Sequence, residues 1–524
     1  MIFRSPYPER DIPETPLTPF VLARARALKD KPALIDALSG RTITYEQLYE
    51  AVQRVAAGLA ARDFRKGDVF AIYSPNVPEY AIAFHAVSLV GGIVTTLNPL
   101  STAQEAGHQL KDAGAKYLLT VPALLDKARE AAAAAASVAE IFVFGTAEGA
   151  TPFSDLFAED GREPPAVEID PHADVVALPY SSGTTGLPKG VMLTHRNLVA
   201  NVVQVQANEL IHEDDTLICV LPLFHIYGMV VIMNLGLCMG AKIVVMSRFD
   251  LESFLENLQD YGVTLAHVVP PIMLALAQHP SVGNYDLSKL KTLFSGAAPL
   301  SEQLARACSE RLGCAIRQGY GMTETSPAIH LTPSQADWSK YGSIGQCVPN
   351  TECKIIDVET GASLSYRQEG ELCMRGPQMM KGYLNRAEAT AATIDGNGWL
   401  HTGDIAYADE DGHFFIVDRL KELIKYKGSQ VAPAELEALL LTHPAVADAA
   451  VVASPDEEAG EVPKAFVVRT DAAGAVTPDE LMAFVASHVA PYKKIRKLEF
   501  IDQIPKSASG KILRRLLVAR ERAK

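Results

Sequence analysis

The chain has 524 residues, too many for one ordinary hydrophobic core, so two or more domains are expected. Hydrophobic residues make up 48% of it, enough to fill those cores. The formal net charge of −14 gives little support to nonspecific nucleic-acid binding, although an acidic protein still holds anions in local pockets.

The seven cysteines, at 219, 238, 308, 314, 347, 353 and 373, include no C-x-x-C pair. Their odd number and wide spacing argue against a disulfide scaffold and point to a reducing compartment. Histidines lie near some of them in sequence, but no zinc-like spacing is evident. The opening MIFRSPYPERDIPETP does not read as a signal peptide, and the final ERAK carries no obvious sorting signal. Segment 223–240 is apolar but contains His225, Asn234 and three glycines, so it reads as a buried element and not a membrane span. The expectation is a cytoplasmic protein.

In chain order, residues 17–62 suggest helices around an extended element, ALIDALSGRTITY. VFAIYS reads as a strand, EYAIAFHAVSLV as a helix, and GIVTTLNP as a strand. QEAGHQLKDAG is a helix with a glycine stop, and KYLLTV follows as a strand. This alternation belongs to an α/β domain with a largely parallel sheet. The alanine-rich run at 130–136 reads as a helical surface. Further along, DTLICVLP, AKIVVMS, VTLAHVVP and LKTLFSG are strand candidates. LESFLENLQDYG and SEQLARACSERLG are helices closed by glycine. After about residue 340 the pattern turns to short strands, CKIIDV, GELCMRG and HFFIVD, which suggests a β-rich subdomain. DRLKELIKYKG marks a junction. Beyond it the helices APAELEALLLTHP and PDELMAFVASHV alternate with strands DAAVVAS and KAFVVRT, a compact α+β domain. The expected organisation is a large N-terminal domain over 1–417 with its β-rich part at about 340–417, a connection at 418–421, and a C-terminal domain over 422–524.

Residues 180–190, YSSGTTGLPKG, interrupt this pattern between an apolar run and a strand–helix continuation. Glycines let successive backbone N–H groups turn toward one anion. Ser181, Ser182, Thr184 and Thr185 add hydroxyl donors, and Lys189 adds charge. The loop is therefore a candidate phosphate cradle, with a plain Gly/Ser surface turn as the alternative. It is not the P-loop of ATPases, because Lys189 precedes its glycine. No G-x-S-x-G elbow is present at GTAEG or YSSGTT, and no cysteine stands out as a nucleophile.

SSGTTGLPKG, QGYGMTE at 318–324, Tyr383 in KGYLN, WLHTGD at 399–404, DRLKELIKYKG at 418–428 and PKSASGK at 505–511 occur in this order over most of the chain. Together they resemble the adenylate-forming enzymes: acyl- and aryl-CoA synthetases, peptide-synthetase adenylation domains and beetle luciferases. The nearest resemblance is to 4-coumarate/cinnamate–CoA ligases. It implies the adenylating fold, a large N-terminal domain of mixed sheets and helices with a small mobile α+β domain. It also implies ATP and Mg²⁺, with CoA as co-substrate, and no nucleic acid, membrane or obligate protein partner.

By that resemblance, Ser181, Ser182, Gly183, Thr184, Thr185 and Lys189 hold the ATP phosphates. Thr323 donates to phosphate and Glu324 binds Mg²⁺, after a QGYG stretch expected to be mobile. Gln318, Gly319 and Tyr320 line the nucleotide pocket. Asp404, expected in a polar turn, accepts the ribose hydroxyls, and Arg419 and Lys421 join the nucleotide contacts. Lys511 bridges the acyl carboxylate and the α-phosphate. Asp418 and Lys421 form the hinge. Arg248, Lys425, Lys427, Gly428 and Gln430 serve the CoA side, with Lys425 important for thioester formation. His225 positions groups near the acyl carbonyl. The acyl pocket is His225, Ile226, Tyr227, Gly228, Val231, Met273, Gly296, Ala297, Ala298, Gly319, Pro327 and Ala328, whose mostly apolar walls suit a ring or chain. Tyr227 offers a hydroxyl to a phenol or simply packs in the core.

Two departures stand out. Ser429 occupies a position where many relatives carry an aromatic residue. Thr325-Ser326-Pro327-Ala328 replaces the Ala-Gly-Pro-Val common in plant coumarate enzymes. Cinnamate-type acids are favoured. Benzoates, medium- or long-chain fatty acids and luciferase-like oxygenation stay open, as does a noncatalytic nucleotide-binding protein.

Overall fold

The computed structural model describes all residues except 159–160, 182–187, 335–339, 341, 427–428, 457–458, 471–475, 508–509 and 523–524. Described strands form four sheets. The first has a parallel centre, Ile93–Leu97, Val69–Tyr73, Ala115–Thr120 and Glu140–Val143. Val69–Tyr73 is buried along its whole length, as a continuous apolar run in a parallel sheet should be. Val175–Ser181 pairs in parallel with Ile93–Leu97, and Lys189–Thr194 returns antiparallel to it. The phosphate-loop candidate thus lies between two paired strands.

The second sheet runs Ala328–Leu331, Ala315–Gly321, Thr292–Ser295, Leu265–Val268, Thr216–Cys219, Lys242–Val245, with edge strands at either end. One hydrophobic core serves both large sheets, taking Phe70, Ile72 and Val94 from the first and Leu217, Ile218 and Leu265 from the second. Helix Glu79–Leu89 is apolar on all sides and almost wholly buried in that core. The alanine-rich helix Leu125–Ala135 is not only surface: Ala128, Ala131 and Ala135 are buried against helix Ala103–Ala113. Small side chains let the two helices approach. Segment Tyr227–Asn234 is a buried π-helix continuing into Leu235–Met239. Among the described residues no helix is long and apolar enough to cross a membrane.

The third sheet is antiparallel: Phe3–Arg4, Glu352–Ile356, Gly370–Arg375, Leu400–Ala408 and Phe414–Arg419. Its first strand comes from the chain's own N-terminal end, which the sequence pattern does not reveal. The QGYG residues end strand Ala315–Gly321, with Gln318 opposite Ser295 on one neighbour and Gly319, Tyr320 and Gly321 paired with the other. A Cβ on Gly321 would lie 1.9 Å from the Pro327 carbonyl oxygen, so this glycine serves close packing. Asp404 lies within strand Leu400–Ala408 and not in a turn.

The chain leaves the third sheet at Arg419 and enters the fourth at Ile424. The fourth sheet, with Gly460–Arg469 and Val446–Asp456 at its centre, has its own core of Ile424, Val431, Leu436, Val451, Ala465, Val467 and Leu481. Asp418 spans the connection. Its carboxylate accepts the Arg419 N–H at 2.6 Å and, at 2.9 Å, the Ala434 N–H in the first turn of helix Pro433–Leu440. Arg514 ties the connection down from the far side. It donates to Glu422 at 2.6 Å and to both oxygens of Glu437 at 2.6 and 2.8 Å. Glu437 also accepts the Val451 N–H at 2.7 Å.

Burial raises the Glu437 carboxyl to about 7 even beside Arg514. Removing the guanidinium leaves a buried carboxylate unpaired, at a cost of about 3–5 kcal/mol. Arg514→Leu should therefore lower stability in urea unfolding at pH 8 by that order. Because a raised carboxyl pKa loses stability as pH rises through it, the loss should shrink at pH 6. Equal losses at both pH values would contradict this account.

Candidate functional site

Four strand ends converge where the two large sheets meet the third. Ser181 closes Val175–Ser181 and sits opposite Lys189 across the pair. Its hydroxyl donates to Glu324 Oε1 at 2.9 Å, and the Tyr383 hydroxyl donates to the same oxygen at 2.8 Å. Lys189 Nζ lies 4.7 Å from the Tyr383 ring centre, a cation–π distance. Glu324 is buried, and the two hydroxyls satisfy its Oε1 there. Carboxylate and hydroxyl oxygens are the donors Mg²⁺ takes, and partly buried Thr323 is next in the chain. Ser182, Gly183, Thr184 and Thr185 lie outside the described residues.

The second corner is Tyr320, Asp404 and Arg419. Tyr320 donates to Asp404 Oδ2 at 2.5 Å, and Arg419 Nε lies 3.3 Å from Oδ1. Asp404 and Arg419 face each other directly on antiparallel strands. Burial raises the Asp404 carboxyl, opposed by Arg419 and by the tyrosine hydrogen bond. Gln318 is buried, its N–H held by Thr332 Oγ1 at 2.9 Å.

Lys511 reaches this place from the C-terminal unit. Its loop rests on the large unit, where a Cβ on Gly510 would lie 3.3 Å from Pro271. Burial and then Arg419 lower its ammonium to about 8, against the opposing pull of Asp404, Glu422 and Glu324. One ammonium therefore senses both carboxylate corners. His225 senses it in turn: burial, then Lys511, lowers the imidazole to about 4. The ring is neutral at pH 7, and its Nδ1 accepts the Tyr227 N–H at 3.3 Å, which leaves the proton on Nε2.

Beside His225 lie buried Ile226, Tyr227, Gly228 and Val231, with Met273 also buried. The Tyr227 hydroxyl is already occupied, 3.1 Å from His267 Nδ1 and 3.3 Å from the Phe294 carbonyl oxygen. Gly296 runs under its ring. Gly319 packs against Phe294 and Leu331. Pro327 and Ala328 are buried, with the Ala328 N–H held by Asn201 at 3.0 Å, whereas Ala297 is exposed and Ala298 half-buried.

Other predicted residues stay apart from this centre. Lys425 is exposed on strand Ile424–Tyr426, Lys421 is exposed in the connecting turn, and Arg248 is exposed beyond strand Lys242–Val245. Lys427, Gly428 and the Gln430 side chain lie outside the described residues. Three contributors are absent from the sequence-based set. Tyr383 stands in a motif, but its bond to Glu324 is visible only in three dimensions. Glu422 follows an expected hinge residue. His267, inside the apolar run VTLAHVVP, carries no sequence signal.

The AMP-binding enzyme family matches residues 21–384, and the AMP-binding enzyme C-terminal domain matches residues 435–511. The chain belongs to this family of AMP-binding, acid-activating enzymes. It is 48% identical over 529 residues to 4-coumarate–CoA ligase 1 of Petroselinum crispum, covering 99% of this chain and 97% of that one. Among solved structures, an anthranilate CoA ligase in complex with anthranoyl-AMP superposes with a TM-score of 0.89 at 25% identity, covering 98% of both chains. The o-succinylbenzoate CoA synthetase of Bacillus subtilis, solved with ATP and a magnesium ion, superposes with a TM-score of 0.83 at 32% identity, covering 96% of this chain and 99% of that one.

The field around Lys511 is testable without substrate. In the free protein its amine should titrate near pH 8. Arg419→Gln removes a like charge and should raise that value; Asp404→Asn removes an opposite charge and should lower it. NMR of isotopically labelled lysine reads both, and no movement in either variant would refute the arrangement.

Proposed function

We propose that this protein is an ATP-dependent, AMP-forming acid–CoA ligase acting on cinnamate/4-coumarate-type aryl acids. The observation that carries it is the Lys511 ammonium set in the field of both Asp404 and Glu324, beside neutral His225. In the first half-reaction a carboxylate oxygen attacks the α-phosphorus of ATP, the bond to the bridging oxygen breaks, and pyrophosphate leaves. Charge builds on the α-phosphate as this happens, and Lys511 is placed to neutralise it together with the incoming carboxylate. Asp404 holds the ribose, with Arg419 keeping its carboxylate oriented. Mg²⁺, when bound through Glu324, would supply charge neutralisation at the phosphates. Ser181 and Lys189 frame the phosphate loop.

In the second half-reaction the CoA thiolate adds to the acyl carbonyl and AMP leaves. A His225 imidazole lowered to about 4 is a poor base at neutral pH, which suits orientation of the carbonyl better than deprotonation of the thiol. Lys425 is exposed while Lys511 occupies the site. Rotation at Asp418–Lys421 would exchange the two, and the separate hydrophobic core of the C-terminal unit suits such movement. The aryl-acid assignment rests on the near full-length likeness to a 4-coumarate–CoA ligase and on the buried apolar side chains around His225. The Tyr227 hydroxyl already has two partners, so a phenol reaching it would have to displace one.

The direct test is ATP- and acid-dependent formation of CoA thioester across cinnamic, benzoic and fatty acids, read by product mass. Highest kcat/KM for a cinnamic acid is expected; turnover of fatty acids alone would reject the substrate class. Lys511→Ala should lower acid-dependent pyrophosphate exchange by about 10²–10³-fold and largely spare thiolation of supplied acyl-adenylate. Lys425→Ala should show the reverse selectivity. A Cβ on Gly296 would lie 2.9 Å from Tyr227 Cε1, so Gly296→Ala should raise KM for ring-bearing acids roughly tenfold, more than for short aliphatic ones.

A further inference from the structure

Behind the nucleotide corner, two thiols and an imidazole meet in an apolar core. His330 Nε2 lies 3.5 Å from Cys347 Sγ and 3.6 Å from Cys353 Sγ, and the three ligand atoms all fall within 4.8 Å of one another. His330 and Cys353 are fully buried and Cys347 is 1% exposed. They come from three strands. His330 in Ala328–Leu331 pairs with Cys347 in Gln346–Cys347, and Cys353 belongs to Glu352–Ile356 of the third sheet. The cluster therefore sits on the seam between two sheets. Its surroundings are Phe3, Ile329, Phe414 and Met374, the last directly opposite Cys353 on the neighbouring strand. The other ring nitrogen, His330 Nδ1, is buried without a hydrogen-bond partner. Among the described residues the imidazole thus has only the two sulfurs as hydrogen-bonding company.

We infer that His330, Cys347 and Cys353 bind one thiophilic d¹⁰ cation, Zn²⁺ or Cu⁺. An ion about 2.3 Å from each sulfur and about 2.0–2.1 Å from Nε2 would subtend N–metal–S angles of roughly 110° at these separations, close to tetrahedral. On binding, two S–H protons pass to solvent as two metal–sulfur bonds form. His330 gives its Nε2 lone pair and keeps its proton on Nδ1. Two thiolates neutralise a divalent ion, which favours Zn²⁺ in an apolar core. Three convergent donors with a thioether close by suit Cu⁺. In either form the ion would join the two sheets directly behind Tyr320, which pairs with His330 across the strands. This site takes no part in the ligase reaction, and its test does not depend on that activity.

Metal-free, reduced full-length protein should be titrated with Zn²⁺ alone and, separately, with Cu⁺ in competition with a chromophoric chelator. One equivalent per chain should bind in at least one arm, and X-ray absorption should show two sulfurs and one nitrogen. Cys353→Ala and Cys347→Ala should each weaken binding by more than about tenfold. Cys238→Ala, a thiol outside the cluster, should leave it unchanged. Absence of binding in both arms would overturn the inference, as would an absorption spectrum of oxygen and nitrogen ligands only. Should the alanine variants fail to fold, the ligand count on the unaltered protein still decides.

Discussion

Everything in the site depends on placing one ammonium where a low dielectric and three carboxylates compete for its charge. Burial and Arg419 lower the Lys511 ammonium, and Asp404, Glu422 and Glu324 pull the other way. The result, titration near 8, keeps the group cationic at neutral pH. Each carboxylate is in turn held by its own donors, Tyr320 and Arg419 for Asp404, Ser181 and Tyr383 for Glu324, Arg514 for Glu422. The large unit thus builds a negative recess, and the small unit supplies the cation that fits it.

That division makes the connection between the units mechanically important. Asp418 bonds to the backbone on both sides, and Arg514, three residues after Lys511, is fixed to Glu422 and Glu437. The lysine loop and the connecting turn are therefore braced against each other within the small unit. A rigid-body rotation of that unit would move Lys511 out and carry exposed Lys425 with it, without disturbing the core around Val451 and Leu436.

The fold was legible in the sequence wherever periodicity was strong. Val69–Tyr73 and helix Glu79–Leu89 follow from their apolar runs, and the parallel sheets follow from their alternation. Two local readings failed for one reason. QGYG and the end of WLHTGD are rich in glycine and polar residues, which argue for mobile or turning backbone. Both are instead strands, because cross-strand pairing and close approach, as at Gly321, override local propensity. The alanine-rich helix is surface on one side, as its composition suggests, and packed on the other, since small size is also what close helix packing needs.

The order and chemistry of the motifs, read from the sequence alone, determined the family and the nucleotide, and named Lys511, Asp404 and Glu324 as site candidates. The charge and hydrogen bonding these residues offer are already declared by their types. Tertiary structure alone decided which groups share a field. It put Tyr383 on Glu324, occupied the Tyr227 hydroxyl with His267, and left Lys425 outside while Lys511 is in. It also gathered His330, Cys347 and Cys353, which are 17 and 23 residues apart in pairings with His330 and show no recognisable spacing. Contacts between strands depend on register and sheet order, and neither is written in the local pattern of the chain.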